Sequence, residues 1–208
     1  TAQHLKSKDI VIGYDARETS KSLAEACARG INDGGAHVLN IGLCGTEEVY
    51  WAVNSLKAEA GIEVTASHNP IEYNGMKIVK AGSKPLDDQQ DFQVIKKLAS
   101  VGEFAPEIHN TTQHDRSEMA RAAYVEKLLS FVNPEELKPL KIVVNSGNGA
   151  AGPTFDALKN GLSNAGVRAE FIRVFHDPDP SFPNGIPNPL LPNNHYSTEK
   201  IDRTSAGS

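Results

Sequence analysis

The sequence predicts an α/β protein with a mixed, mostly parallel sheet layered with helices, arranged as two successive units. Three observations predict it. Short β-rich runs alternate with helical patterns through the first half, the mark of βαβ units. The same strand, turn, helix, strand plan restarts at Lys141. The length, 208 residues, falls between one and two typical domains.

Ile10 to Tyr14 reads as a buried strand. After the Asp15 to Thr19 turn, Leu23, Cys27 and Ile31 recur at i, i+4 and i+8, with Ser22 and Glu25 as a capping box and Gly34-Gly35 as the stop. His37 to Ile41 is the next strand. Thr46 followed by Glu47 and Glu48 predicts a helix N-cap with acids at the positive dipole end, and the helix runs to about Lys57. Gly61 to Thr65 gives a third strand, Ala66 to Asn74 is loop chemistry, and Met76 to Val79 resumes an extended pattern. Asp87 to Val101 is helical. Gly102 to Ser117 lacks periodicity and is a loop or short irregular strand, and Met119 to Val132 is helical again. Lys141 to Asn145, a Gly-rich turn, a helix over Pro153 to Asn164 and a strand over Arg168 to Phe175 make the second unit. Six prolines between His176 and Pro192 forbid a regular helix there. Residues 1–123 are assigned to the first domain and 124–208 to a second. One strand, one helix and one further strand cannot bury both faces of a sheet, so this second domain is expected to be incomplete.

Composition narrows the function. Net charge is −5, spread along the chain without a basic stripe, which argues against nucleic acid and membrane surfaces as partners. Cys27 and Cys44 are too few for a disulfide framework and wrongly spaced for a redox or zinc pair, so a reducing, cytoplasmic setting is expected. The polar start, Thr1 to Asp9, has no signal-like apolar core.

Two segments carry candidate chemistry. Gly147-Asn148-Gly149-Ala150-Ala151-Gly152 satisfies G-x-G-x-x-G between a strand and a helix, the context of a dinucleotide fingerprint. The acid wanted about 20 positions on is not cleanly present: Glu170 comes early and Asp177 late. A tight strand-to-helix turn with Pro153 at the first helical position is the reading these residues favour on their own. Thr65-Ala66-Ser67-His68-Asn69-Pro70 puts a serine beside a histidine, yet adjacent residues rarely meet as a nucleophile pair and no G-x-S-x-G elbow surrounds them. An Asn-Pro turn in which Ser67 bonds local backbone is the alternative.

The longer run Gly61-Ile62-Glu63-Val64-Thr65-Ala66-Ser67-His68-Asn69-Pro70, then Tyr73-Asn74-Gly75-Met76-Lys77, resembles the active-site serine loop of the α-D-phosphohexomutases. Gly13-Tyr14-Asp15-Ala16-Arg17 is similar to that family's first strand-turn motif. Gly45-Thr46-Glu47-Glu48 is similar to a turn of the bacterial phosphomannomutases, where relatives more often carry Gly-Thr-Pro. Val144 to Gly152 and Pro183 to Pro192 resemble the second domain, so the likeness runs from about residue 9 to 192 and gives the glycine turn a structural role.

The resemblance implies that a phosphoserine at Ser67 gives its phosphoryl group to a hexose phosphate, that the bound hexose 1,6-bisphosphate turns over, and that the other phosphate returns to the serine. It implies mannose 6-phosphate and mannose 1-phosphate as the pair interconverted, with glucose or glucosamine phosphates as alternatives. Lys77 matches the family lysine that acts as general acid/base or stabilises the transferring group. His68 is a further catalytic candidate that bonds phosphate or substrate oxygens, or else shapes the loop. Arg17 and Asn69 are candidate phosphate or substrate contacts, while Asp15 is a turn residue. The implied cofactor is Mg²⁺, held by Ser67 through its phosphate and by three aspartates of an Asp-Gly-Asp-x-Asp-Arg run. That run does not occur in these residues, and neither the pair Asp177 and Asp179 nor Asp202-Arg203 takes its place. The sequence is therefore expected to be an N-terminal portion of such an enzyme, beginning inside its first helix, with negligible turnover without the remaining domains. A non-catalytic phosphoprotein module and a nucleotide-dependent oxidoreductase stand as competing classes.

Overall fold

In the computed structural model, which describes residues 1–102, 113–186 and 188, the alternation of the first half becomes one six-stranded sheet. After a short α1 (Ala2–Leu5), β1 (Asp9–Tyr14), α2 (Ser20–Asp33), β2 (His37–Leu43), α3 (Thr46–Ser55) and β3 (Ala60–Val64) follow in βαβαβ order. Next come β4 (Met76–Lys80), β5 (Lys84–Pro85), α4 (Gln93–Val101), β6 (Gln113–Asp115) and α5 (Ser117–Leu129). The strand order is β5-β4-β3-β1-β2-β6. β1 pairs parallel with β2 and β3, and β2 with β6, while β4 runs antiparallel to β3 and β5. The reason is the connection: the serine loop between β3 and β4 holds no crossover helix, so the chain returns as a neighbour of opposite sense.

Alternate strand residues feed two cores. Ile10, Ile12, Val38, Ile62 and Val64 pack with Ala24, Ala28 and Ile31 of α2. Val11, Leu39, Ile41 and Val79 pack with Val49, Ala52 and Val53 of α3 and Ala120 of α5. On the α3 side the helix rides close to the sheet because Gly61 has no side chain; a β-carbon there would lie 2.5 Å from Val53 Cγ2 and 3.0 Å from Val49 Cγ1.

Several local expectations shift. α2 starts two residues before Ser22, whose hydroxyl donates to the Thr19 carbonyl instead of capping, and the buried stripe is Ala24, Ala28 and Ile31, with Leu23 36% exposed. Small residues win the inner face because α2 must lie flat on a twisted sheet. At α3 the N-cap is Gly45, not Thr46: the Gly45 amide donates to Glu48 Oε1 at 3.1 Å and its carbonyl accepts the Glu48 amide at 3.0 Å. The helix expected over Asp87 to Val101 opens with a π-helical turn, Asp88–Phe92, capped by the Asp87 carboxylate on the Gln89 and Gln90 amides. Within the aperiodic stretch 102–117, β6 is a strand, and residues 103–112 lie outside the described ones.

Contacts divide the described chain into two units: Thr1–Asp15 with Thr19–Thr65 and Gly75–Tyr124, and Ala16–Glu18 with Ala66–Asn74 and the described residues from Val125 on. In the second, β7 (Leu140–Asn145) and β8 (Ala169–Val174) pair in parallel, joined by α6 (Ala151–Asn164). Phe155 of α6 meets Phe171 edge-on at 5.3 Å, and Gly161 admits Leu129 and Val125 against α6. Val174 is the one buried residue of these two strands, as expected of a sheet this small. Of the proline-rich stretch, 187 and 189–192 lie outside the described residues.

Candidate active site

The serine loop is anchored at its neck and folded around a cation. The Thr65 amide donates to the Gly75 carbonyl at 2.9 Å, closing the β3–β4 connection. Asp15, following β1, accepts the Thr65 hydroxyl on Oδ2 at 2.7 Å and the Ser20 hydroxyl on Oδ1, which ties the end of β3 to the start of α2. Inside the loop, the Asn69 amide and its Nδ2 both donate to the Ala66 carbonyl, at 3.1 and 2.7 Å.

Arg17, 4% exposed, supplies the loop's interior. Its Nη1 donates to the carbonyls of Pro70 (2.8 Å), Tyr73 (3.0 Å) and Ile71 (3.4 Å), and its Nη2 to those of Asn69 (2.6 Å) and Ser67 (3.0 Å). A guanidinium is suited to this because it presents donors in a fixed planar fork. With the carbonyls turned inward, the opposite N–H ends of those trans peptides point away from the cation, except at Asn69–Pro70, where proline has no N–H.

Ser67 stands exposed on this frame with φ +56°, a left-handed conformation uncommon for a residue with a side chain, and His68 and Asn69 beside it are exposed as well. The structure thus brings Ser67, Asn69 and Arg17 together. The Nη groups of Arg17 are spent on loop carbonyls, which makes it the organiser of the loop. Lys77, on β4, is exposed, and its Nζ lies 3.4 Å from Thr46 Oγ1 at the start of α3.

Sequence reasoning passed over a buried acidic cluster. Glu63, the fourth of the five residues of β3 and 1% exposed, places Oε2 3.5 Å from Cys44 Sγ. Burial is the main cause that pushes its carboxyl up to about 9, with the charges of Asp15 and Glu48 adding to it. Burial, then the carboxyl groups of Glu63 and Glu48, hold the Cys44 thiol well above its ordinary value. Glu48, 7% exposed, caps α3 and lies 3.9 Å from Arg121 Nε. The signal available in the sequence was a carboxylate in the middle of an otherwise apolar strand.

The glycine turn closes on its own chain. The Asn148 amide donates to the Phe175 carbonyl at 2.7 Å, its carbonyl accepts the Asp179 amide, its Nδ2 donates to the Asp177 carbonyl, and its Oδ1 accepts Asn184 Nδ2. Gly152 sits against the His176 carbonyl, so closely that no β-carbon fits. Asp179 accepts the Ser181 hydroxyl and amide, which holds its carboxyl below the usual range. Among the described residues no group of three or more His, Cys, Asp or Glu side chains is placed to hold a metal ion, and no helix is long and apolar enough to cross a membrane.

The family model described as phosphoglucomutase/phosphomannomutase, alpha/beta/alpha domain I, matches residues 1–104, and that of domain II matches 122–206. A phosphomannomutase of Salmonella montevideo is 47% identical over 198 residues, covering 95% of this chain and 43% of its own length. One of Escherichia coli K12 is 46% identical over 190 residues, covering 91% and 42%. The crystal structure of a phosphoglucomutase/phosphomannomutase family protein from Burkholderia thailandensis superimposes with a TM-score of 0.78 at 29% identity, covering 98% of this chain and 45% of that one. The chain therefore spans less than half the length of these relatives.

Proposed function

The chain belongs to the phosphoglucomutase/phosphomannomutase family, and from that premise we propose that it carries the phosphoryl-shuttling half of a phosphomannomutase, interconverting mannose 6-phosphate and mannose 1-phosphate. The phosphomannomutases among its relatives support mannose over glucose or glucosamine as the sugar. The motif Gly45-Thr46-Glu47-Glu48 caps the start of α3.

In this reading Ser67 Oγ bears the phosphoryl group. The Oγ–P bond breaks as a P–O bond forms to the free hydroxyl of the hexose phosphate, and the proton of that hydroxyl leaves to a base. After the bisphosphate turns over, the other phosphoryl group returns to Oγ and the sugar oxygen regains a proton. Transfer of this kind asks for positioning and charge neutralisation more than for a strong nucleophile. Arg17 provides positioning by fixing the loop backbone, Lys77 provides an ammonium or a proton, and the exposed His68 and Asn69 side chains bond phosphate or sugar oxygens. Mg²⁺ belongs to this chemistry in the family, but the described residues hold no carboxylate cluster that fits it, so no step is assigned to the ion here. The division near residue 124 is taken as the domain boundary, and the two free thiols, with Cys44 buried and Cys27 pushed up to about 11 by burial, suit a cytoplasmic enzyme.

The observation that carries the reading is the exposed Ser67 on a backbone clamped by the Arg17 guanidinium. Treating the chain with phosphorus-labelled hexose 1,6-bisphosphate and Mg²⁺, followed by phosphopeptide mapping, tests it. Label is expected on Ser67 and none on Ser67→Ala; label elsewhere, or equal label in both proteins, refutes it.

A further inference from the structure

A carboxyl group buried at the centre of a sheet needs a reason, because leaving it ionised there is costly. Glu63 is paired in register with Gly13 of β1 on one side and with Lys77 of β4 on the other. Antiparallel partners directly opposite each other project from the same face, so Glu63 and Lys77 rise together on the α3 side, where Lys77 reaches Thr46. On the other flank Gly13 leaves a slot: a β-carbon there would collide with Cys44 Sγ, Glu63 Oε2 (2.8 Å) and Val49 Cγ2 (2.9 Å). The carboxyl fills the space the glycine vacates.

The charged and titratable groups facing Glu63 come from every neighbouring element. They are Asp15 after β1, Cys44 after β2, Glu48 on α3 and Lys77 on β4, with Arg121 of α5 reaching Glu48. Burial, the dominant influence, and the two acids oppose ionisation of Glu63; the Cys44 hydrogen bond favours it, and the Lys77 charge favours it only weakly. An ionised Glu63 would be the nearest cross-strand counter-ion for Lys77 and would draw the ammonium down onto the sheet.

We propose that Glu63 is a positioning residue for Lys77: the slot between Gly13, Cys44 and Glu48 keeps its carboxyl from acting as the lysine's counter-ion, so that the ammonium stays directed outward for an incoming phosphoryl group. This rests on the role given to Lys77 above. It also accounts for Gly13, because any side chain there would evict the carboxyl from its slot.

The test is a carbon-13 NMR titration of the chain, following Glu63 Cδ and Lys77 Cε in the parent and in Glu63→Gln, which keeps the shape and removes the ionisable proton. The parent Glu63 signal is expected to show no step in the usual carboxylate range and to titrate near 9, with a matching step at Lys77 that Glu63→Gln lacks. A Glu63 step at ordinary carboxylate pH, or identical Lys77 curves in the two proteins, overturns the proposal, and the first of these needs only the parent protein. Labelling of Ser67 against pH is the second readout: the parent should lose labelling as pH rises through about 9, and Glu63→Gln should retain it further. If neither protein is labelled at any pH, the role of Ser67 fails while the NMR curves still decide that of Glu63.

Discussion

The serine loop and the glycine turn both follow the last residue of a parallel strand, and both have a backbone gathered around one polar side chain, yet they end in opposite states. In the serine loop five carbonyls face inward to Arg17 and the side chains at 67–69 are exposed. In the glycine turn Asn148 spends its amide, its carbonyl and both ends of its side chain on residues 175–184, and Gly152 is sealed by the His176 carbonyl. A cation can satisfy many carbonyls and leave the side chains of a loop outside. An amide that both donates and accepts fastens a turn to neighbouring chain. The glycine pattern that reads as a nucleotide fingerprint is thus used for close packing, and the plainer Ser-His-Asn run is the one presented to solvent.

The largest effect is expected from Arg17→Ala. Each buried carbonyl left unserved costs about 1–3 kcal/mol, so the loop should lose its fixed conformation, with its amides exchanging at near-unfolded rates and Ser67 labelling falling at least tenfold. Arg17→Lys should rescue little, since one ammonium cannot reach all five carbonyls. Hydrogen exchange of residues 66–75 checks both.

Gly152→Ala comes next. The atom it would strike is backbone, which cannot swing aside, so the upper part of the usual overpacking cost of about 1–3 kcal/mol is expected. Chemical denaturation should show β7, α6 and β8 unfolding earlier, while Ser67 labelling persists. Asn148→Ala should follow, at about 0.5–1.5 kcal/mol for each of the two side-chain hydrogen bonds lost, with exchange rising over 175–184 and not over 66–75.

The smallest effect is a difference in acid response. Asp156 accepts from His176 Nε2 and Arg173 Nη1, both at 2.9 Å, and these bonds hold its carboxyl below the ordinary value of 3.8, the His176 bond being the larger cause. A carboxyl depressed in the folded state adds stability that is fully present above its unfolded value and is lost as pH falls through the lower folded one. Acid below about 4 should therefore loosen the surroundings of the glycine turn first, and Asp156→Asn should abolish that pH dependence. The Arg17 clamp depends on a guanidinium, whose charge acid does not change, so exchange in the serine loop should stay flat over the same range.

Much of the fold was legible in the chain. Strand and helix positions follow from periodicity, while two helix starts differ from the local pattern: α2 follows Thr19, which makes no side-chain capping hydrogen bond, and the cap read at Thr46 is formed by Gly45 with Glu48. Local pattern cannot choose between neighbouring caps, because the choice depends on where the helix must sit to bury Ala24 or Val49. The serine loop was legible as a continuous run of residues. Arg17 was legible only as a charge, because its five bonds reach across about 50 residues of sequence.

What the sequence determined by itself is therefore the set of short-range features: alternation that makes strands, spacing that makes helices, and the Thr65 to Asn74 run that makes the loop. Tertiary structure alone decided that Arg17 faces inward, that the glycine turn is closed, and that Glu63 is buried beside Cys44 and opposite Lys77. The physical reason is that charge and hydrogen-bonding state depend on what surrounds a group in three dimensions, and the groups surrounding Glu63 come from β1, from β4, from α3 and from the turn after β2.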